Sequence, residues 1–98
     1  MTSQNVCSRT FDGEIAVDYS KEIYEEMARA SSKFPAFASE HEGFAILLEE
    51  VDELWDAIKL NQKNPDRLRL CEKECIQVGA MALRFLHDMR RRQEAAHV

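Results

Sequence analysis

Apolar residues recur at steps of three and four along most of this chain, and nowhere do apolar and polar residues alternate over the length of a strand. Only three glycines and two prolines are spread over 98 residues, which leaves little turn chemistry. The pattern therefore predicts an all-α protein. From about Asp12 to Ser32, Ala16, Tyr19, Ile23, Met27 and Ala30 describe one stripe of an amphipathic helix, with Glu and Lys between them. Pro35 then stops it, because a proline disfavours helical geometry in the residue before it, Phe34. Residues 1–11 are polar and aperiodic and are expected to be a disordered tail, with 12–98 forming a single domain.

Ser39 followed by Glu42 matches a capping box and starts a second helix near Glu40. Phe44, Leu47, Leu48, Val51, Leu54, Trp55 and Ile58 hold one stripe along it, which is expected to form the centre of the core. Asn64, Pro65 and Asp66 supply a capping side chain, a proline suited to the first helical position and an acid for the first turn. Leu68, Cys71, Cys75, Val78, Ala82, Phe85, Leu86 and Met89 carry that third helix to about Arg92. Three helices with short connections predict an antiparallel bundle.

Composition narrows the possible partners. The net charge is -5 and the pI about 5.2, a poor match for nucleic acid, and the short basic run Arg90 to Arg92 suits the negative end of a helix dipole. No stretch approaches the roughly 20 apolar residues of a membrane span, and no apolar segment follows a basic start at the N-terminus. Three cysteines with one close pair argue against a disulfide framework. Cys71 and Cys75 share a helix face and are expected to pack. These features together favour a cytoplasmic location.

The acidity is concentrated. Between Lys33 and Lys59 there is no Lys or Arg, yet the segment carries Glu40, Glu42, Glu49, Glu50, Asp52, Glu53 and Asp56. On a helical wheel Glu49, Glu50 and Glu53 fall opposite the apolar stripe. Ile46 and Ala57 share their face, so something is expected to pack against it. Glu49 and Glu53 form an i,i+4 like-charge pair that costs a few tenths of a kcal/mol, and a hard divalent cation would relieve it. On the third helix Glu74, Gln77 and Met81 also point away from the apolar stripe. Across a short loop, Glu50 and Glu74 lie at matching heights. Two protomers meeting on these second faces would build a four-helix arrangement around the acids. A solvated helix face is the competing explanation of the same charges.

The run Glu49-Glu50-Val-Asp-Glu53, followed by Glu74-Cys-Ile-Gln77, resembles the E-E-x-x-E and E-x-x-D pattern of the MazG-like, all-alpha nucleoside triphosphate pyrophosphohydrolases. The stretch from Glu40 to Asp88 is similar to the small, often phage-encoded members of that superfamily. The resemblance implies a Mg²⁺-dependent enzyme, with Mn²⁺ as a substitute, that cleaves (d)NTPs to a monophosphate and pyrophosphate. It implies Glu50, Glu53 and Glu74 as metal ligands and Glu49 as a further ligand or an aid to the attacking water. It further implies a homodimer or tetramer, working in the host cytoplasm if phage-encoded. Gln77 stands where the family has its last acid; its amide oxygen can still touch a metal or a metal-bound water but brings no charge. A catalytically weak nucleotide-binding or interaction protein is the alternative.

Two polar candidates remain. Arg84 follows Gln77 by seven residues and tracks its face, placed either to meet phosphate oxygens or to pair with Asp88 or a partner chain. His41, in the first turn of the second helix, either contacts a base or is a surface residue near the cap.

Overall fold

The structure is a computed structural model that describes residues 6–11, 14–60 and 62–96. Its body is all-helical. The helices are α1 (Ser20–Lys33), α2 (Glu40–Ile58) and α3 (Arg67–Ala96). They are preceded by a two-stranded antiparallel hairpin of β1 (Val6–Phe11) and β2 (Glu14–Val17), in which Val6 pairs with Val17 and Phe11 with Glu14. The hairpin makes no close backbone approach to the helices among the described residues. Of the tail expected to be disordered, residues 1–5 lie outside the described residues, and Val6–Phe11 form β1. The first helix starts at Ser20 rather than near Asp12. Ala16 fits the helical step, but Ile15 and Val17 on either side of it are β-branched and favour extended backbone. Asp18 Oδ1 then accepts from the Ser20 N–H at 2.9 Å, ahead of the first turn.

The other boundaries follow their local chemistry. Phe34 is extended (φ -124°, ψ 146°) ahead of Pro35, and its N–H donates to the Ala30 carbonyl. Ser39 Oγ accepts from the Glu42 N–H at 3.1 Å, while the Glu42 carboxylate reaches back to the Ala38 N–H at 2.7 Å. The capping box is thus closed, one residue wider than the standard pattern. Asn64 Oδ1 accepts from the Asp66 N–H at 2.9 Å, and α3 begins two residues beyond Pro65, at Arg67.

α3 is the central element. Both α1 and α2 pack on it and not on each other. Gly43 lies against Phe85 and Glu53 near Glu74, so α2 runs antiparallel to α3, whereas Ile23 meets Gly79 and Phe34 meets Arg84, so α1 runs parallel to it. Gly43 is required by this geometry: a Cβ there would lie 2.5 Å from Phe85 Cδ2 and 3.0 Å from Phe37 Cδ2. The core consists of Met27 and Ala30 from α1, Phe37 from the connection, and Ala80 and Met81 from α3, with Ile46, Leu47, Leu83, Phe85 and Met89 packed around them.

The orientation of α2 departs from expectation. Phe44, Leu48, Val51, Trp55 and Ile58, read as the centre of the core, are exposed, Phe44 to 60% and Trp55 to 55%. From the stripe Leu47 does pack on the core, beside Ile46, and the helix turns Gly43 and Ala57 inward. The small residues allow close approach to α3, and the bulky stripe is left outward. Lys59 lies over Trp55, its Nζ 5.6 Å from the ring centroid. On α3 the stripe is split: Leu68 and Leu86 are exposed and Phe85 and Met89 pack on the core, while Met81, Arg84 and Asp88 are buried. Cys75 is also exposed and Cys71 half-buried, and both are free thiols.

Candidate functional site

Because α1 and α2 flank α3 without a close backbone approach to each other, a cleft of about 390 Å³ opens between them, floored by α3. Its lining includes Glu26 and Arg29 of α1, Phe34, Pro35 and Phe37 of the connection, Ile46, Glu49 and Glu50 of α2, and Gln77, Met81 and Arg84 of α3. The volume lies within the range of about 300–1,000 Å³ common for small-molecule sites. No hydroxyl, thiol or imidazole lines it among the described residues.

At one end of the cleft three carboxylates converge. Glu50, Glu53 and Glu74 each offer an oxygen, and these oxygens all lie within 4.8 Å of one another. The one-turn spacing of Glu50 and Glu53 puts them side by side on α2, and the antiparallel pairing brings Glu74 to their height. Glu50 and Glu74 are half-buried and Glu53 is exposed. Burial, and then the neighbouring charge of Glu53, push the Glu50 carboxyl up from 4.5 to about 7; Glu74 and Glu49 add to the effect. Glu74 is raised by burial and then by Glu53, against the opposing pull of Lys73. The crowding of three carboxylates, two of them half-buried, is the common cause of both shifts.

The donor set fits a hard divalent cation. Oxygens on opposite sides of a Mg²⁺ ion stand at most about 4.2 Å apart, and around Ca²⁺ about 5.2 Å. Neighbouring oxygens around Mg²⁺ stand about 3 Å apart, so the three carboxylates, within 4.8 Å of one another, would close in by side-chain rotation to ligate one ion. The carboxylates would supply negative charge that Lys73 alone does not balance.

The other residues singled out from sequence have different surroundings. Glu49 lines the cleft next to Glu50. Gln77 also lines it and donates a hydrogen bond to Glu26, which, after the stronger effect of Arg29, holds the Glu26 carboxyl below its ordinary range. Glu26 was not legible as a site residue: with Arg29 three positions on, it has the signature of a surface ion pair, and it does form that pair. Arg84 is 4% exposed and is held by the protein itself. Its Nη2 donates to the carbonyls of Phe34, at 3.3 Å, and Pro35; its Nε lies 3.8 Å from Asp88 Oδ2; and its guanidinium stacks 4.4 Å from the Phe37 ring centroid. Of the alternatives read from sequence, the pairing with Asp88 is the one formed. His41 is exposed and lines a separate open groove with Leu86, Arg90 and Arg92, not the cleft of the glutamates. No helix is long and apolar enough to cross a membrane among the described residues. No protein-family model, curated protein or solved structure matches the chain.

Proposed function

We propose that this protein is a divalent-cation-dependent nucleoside triphosphate pyrophosphohydrolase of the MazG-like type, using Mg²⁺ or Mn²⁺ to cleave (d)NTPs to monophosphate and pyrophosphate. The observation that carries the proposal is the convergence of Glu50, Glu53 and Glu74 beside a nucleotide-sized cleft. These three residues would hold the cation. When bound, such an ion neutralises phosphate oxygens and lowers the pKa of a coordinated water. Glu49, on the cleft wall beside Glu50, would accept a proton from the attacking water. Gln77, with its amide N–H committed to Glu26, keeps its oxygen as an uncharged acceptor. With no hydroxyl, thiol or imidazole in the cleft among the described residues, direct attack by water suits the lining better than a covalent intermediate.

The protein acts as a homodimer on this proposal, joined not through the acidic faces expected from sequence, where Glu50 and Glu53 already meet Glu74 of the same chain, but through the outward stripe of α2. Phe44 to Ile58 spans about 21 Å of helix, and its large side chains are between 41 and 60% exposed at Phe44, Leu48, Val51, Trp55 and Ile58. The stripe is self-complementary. An antiparallel copy centred on Val51 sets aromatic ends against aliphatic ones, which is the isologous arrangement of a two-fold dimer. The working location is the cytoplasm, that of the host if the protein is phage-encoded.

The neutral Gln77 and the internally committed Arg84 favour a second possibility, a nucleotide-binding module without turnover. The discriminating experiment is pyrophosphate release from a panel of (d)NTPs with Mg²⁺ or Mn²⁺. Release that is lost in Glu50→Gln and Glu53→Gln supports the hydrolase. Ligand uptake in a calorimeter without monophosphate formation supports the binding module.

A further inference from the structure

The cleft has two chemically different ends. Glu50, beside Glu53 and Glu74, forms one, and Phe34, Pro35, Phe37 and Met81 form the other. Along the α3 floor, Glu74 and Met81 are seven residues apart, which is about 10 Å. A ligand anchored on the acids by its phosphates therefore reaches the apolar end only with a group one sugar unit away.

Phe34 is the unusual member of that end. It lines the cleft and yet is 57% exposed, although the backbone around it is firmly held. Arg84 Nη2 donates to the Phe34 and Pro35 carbonyls, and the buried Asp88 Oδ2 accepts from the Phe37 N–H at 3.0 Å. Pro35 removes a further degree of freedom. Arg84 Nε is buried without a hydrogen-bond partner, so part of the guanidinium's hydrogen-bonding capacity is given up where it braces this turn. What the turn presents is an aromatic face at the mouth of the cleft. With the backbone held, only the two side-chain torsions of Phe34 remain to be ordered when a flat ligand is laid on the ring.

We propose that the Phe34 end of the cleft is a subsite for the aromatic ring of a nucleobase, stacked on the Phe34 side chain while the phosphates lie toward Glu50, Glu53 and Glu74. The inference rests on the phosphate placement proposed above and adds the element that makes the ligand a nucleotide rather than an inorganic polyphosphate. Base stacking on an aromatic side chain contributes enough to shift affinity by about tenfold, and it tolerates different bases because each has a π face. Pro35, Ile46 and Met81 supply apolar walls in a lining that also carries Arg29, Glu42 and Arg84, and the stacking contribution itself selects for the presence of a base more than for its identity.

The test uses the full chain with Mg²⁺ and compares deoxycytidine and deoxyadenosine monophosphates with deoxyribose phosphate, which lacks a base. Affinities are read by calorimetry and the Phe34 ring signals by NMR. Both nucleotides should bind about tenfold more tightly than the sugar phosphate and shift the Phe34 ring upfield. Phe34→Ala should remove that difference and Phe34→Tyr should keep it. Since Phe34 is largely exposed, Mg²⁺ affinity of Phe34→Ala should match the parent, which shows that the fold and the acidic end are intact. Equal affinity with and without the base, an unchanged preference in Phe34→Ala, or no binding of any of these ligands overturns the subsite. Base-dependent binding without pyrophosphate release from (d)NTPs overturns the hydrolase reaction and leaves the subsite standing.

Discussion

Replacing Glu50 with Gln should make the metal-free protein more stable, not less. The Glu50 carboxyl is raised from 4.5 to about 7, first by burial and then by Glu53. A carboxyl whose folded pKa lies above its unfolded one stabilises the fold while protonated. That contribution is complete below pH 4.5 and is lost as the pH rises through 7. A shift of this size corresponds to a ceiling of about 3.4 kcal/mol. Glu50 is only half-buried and Glu53 exposed, so solvent screening reduces the realistic figure to about 1–2 kcal/mol. The Glu50→Gln side chain would keep the size and hydrogen-bonding capacity of the original without ever ionising. Thermal unfolding at fixed protein concentration, without divalent cations, should show the variant melting roughly 5–10 °C above the parent at pH 8. At pH 4.5 the two should coincide. Added Mg²⁺ should raise the parent's Tm at pH 8 and leave the variant's unchanged. A variant that melts below the parent at pH 8, or an equal Mg²⁺ response in both proteins, would refute the electrostatic picture of the cluster.

Further outcomes follow from the packing. Asp88→Ala leaves the buried Arg84 charge uncompensated and the Phe37 N–H without its acceptor; it should cost about 3–5 kcal/mol in chemical denaturation. Gly43→Ala forces a methyl to within 2.5 Å of the Phe85 ring and should cost about 1–3 kcal/mol by the same assay. Val51→Glu places a charge in the middle of the exposed α2 stripe and should convert a dimer to a monomer in light scattering without loss of helicity by circular dichroism; a parent that is already monomeric contradicts the proposed interface.

The helices were legible in the sequence because their signals are local. Ser39 with Glu42, Asn64 ahead of Asp66 and the Pro35 stop each act within a few residues, and each is found at its place. The alignment of Glu50 and Glu53 with Glu74 was also legible, since a short loop between antiparallel helices fixes relative height by counting. The inward face of α2 was not. A stripe of Phe, Leu, Val and Trp states that burial is wanted but not against what, and here the protomer's own contacts use Gly43 and Ala57 instead. Arg84 and Asp88 lie on the buried side of α3, where a charge is least expected from pattern alone. Their role depends on carbonyl and amide groups of Phe34, Pro35 and Phe37, some 50 residues away in sequence. Glu26 escaped for a related reason: its hydrogen bond to Gln77 joins α1 to α3, and no spacing rule connects them.

The central claim is that Glu50, Glu53 and Glu74 form one divalent-cation site. Calorimetric titration of the purified protein with Mg²⁺ and with Mn²⁺ at pH 8 tests it most directly. The prediction is one site per protomer, lost or weakened at least tenfold in each of Glu50→Gln, Glu53→Gln and Glu74→Gln, and weakened on going to pH 5.5 as protons compete for Glu50. Absence of binding in the parent, or binding of equal strength in all three variants, would contradict it.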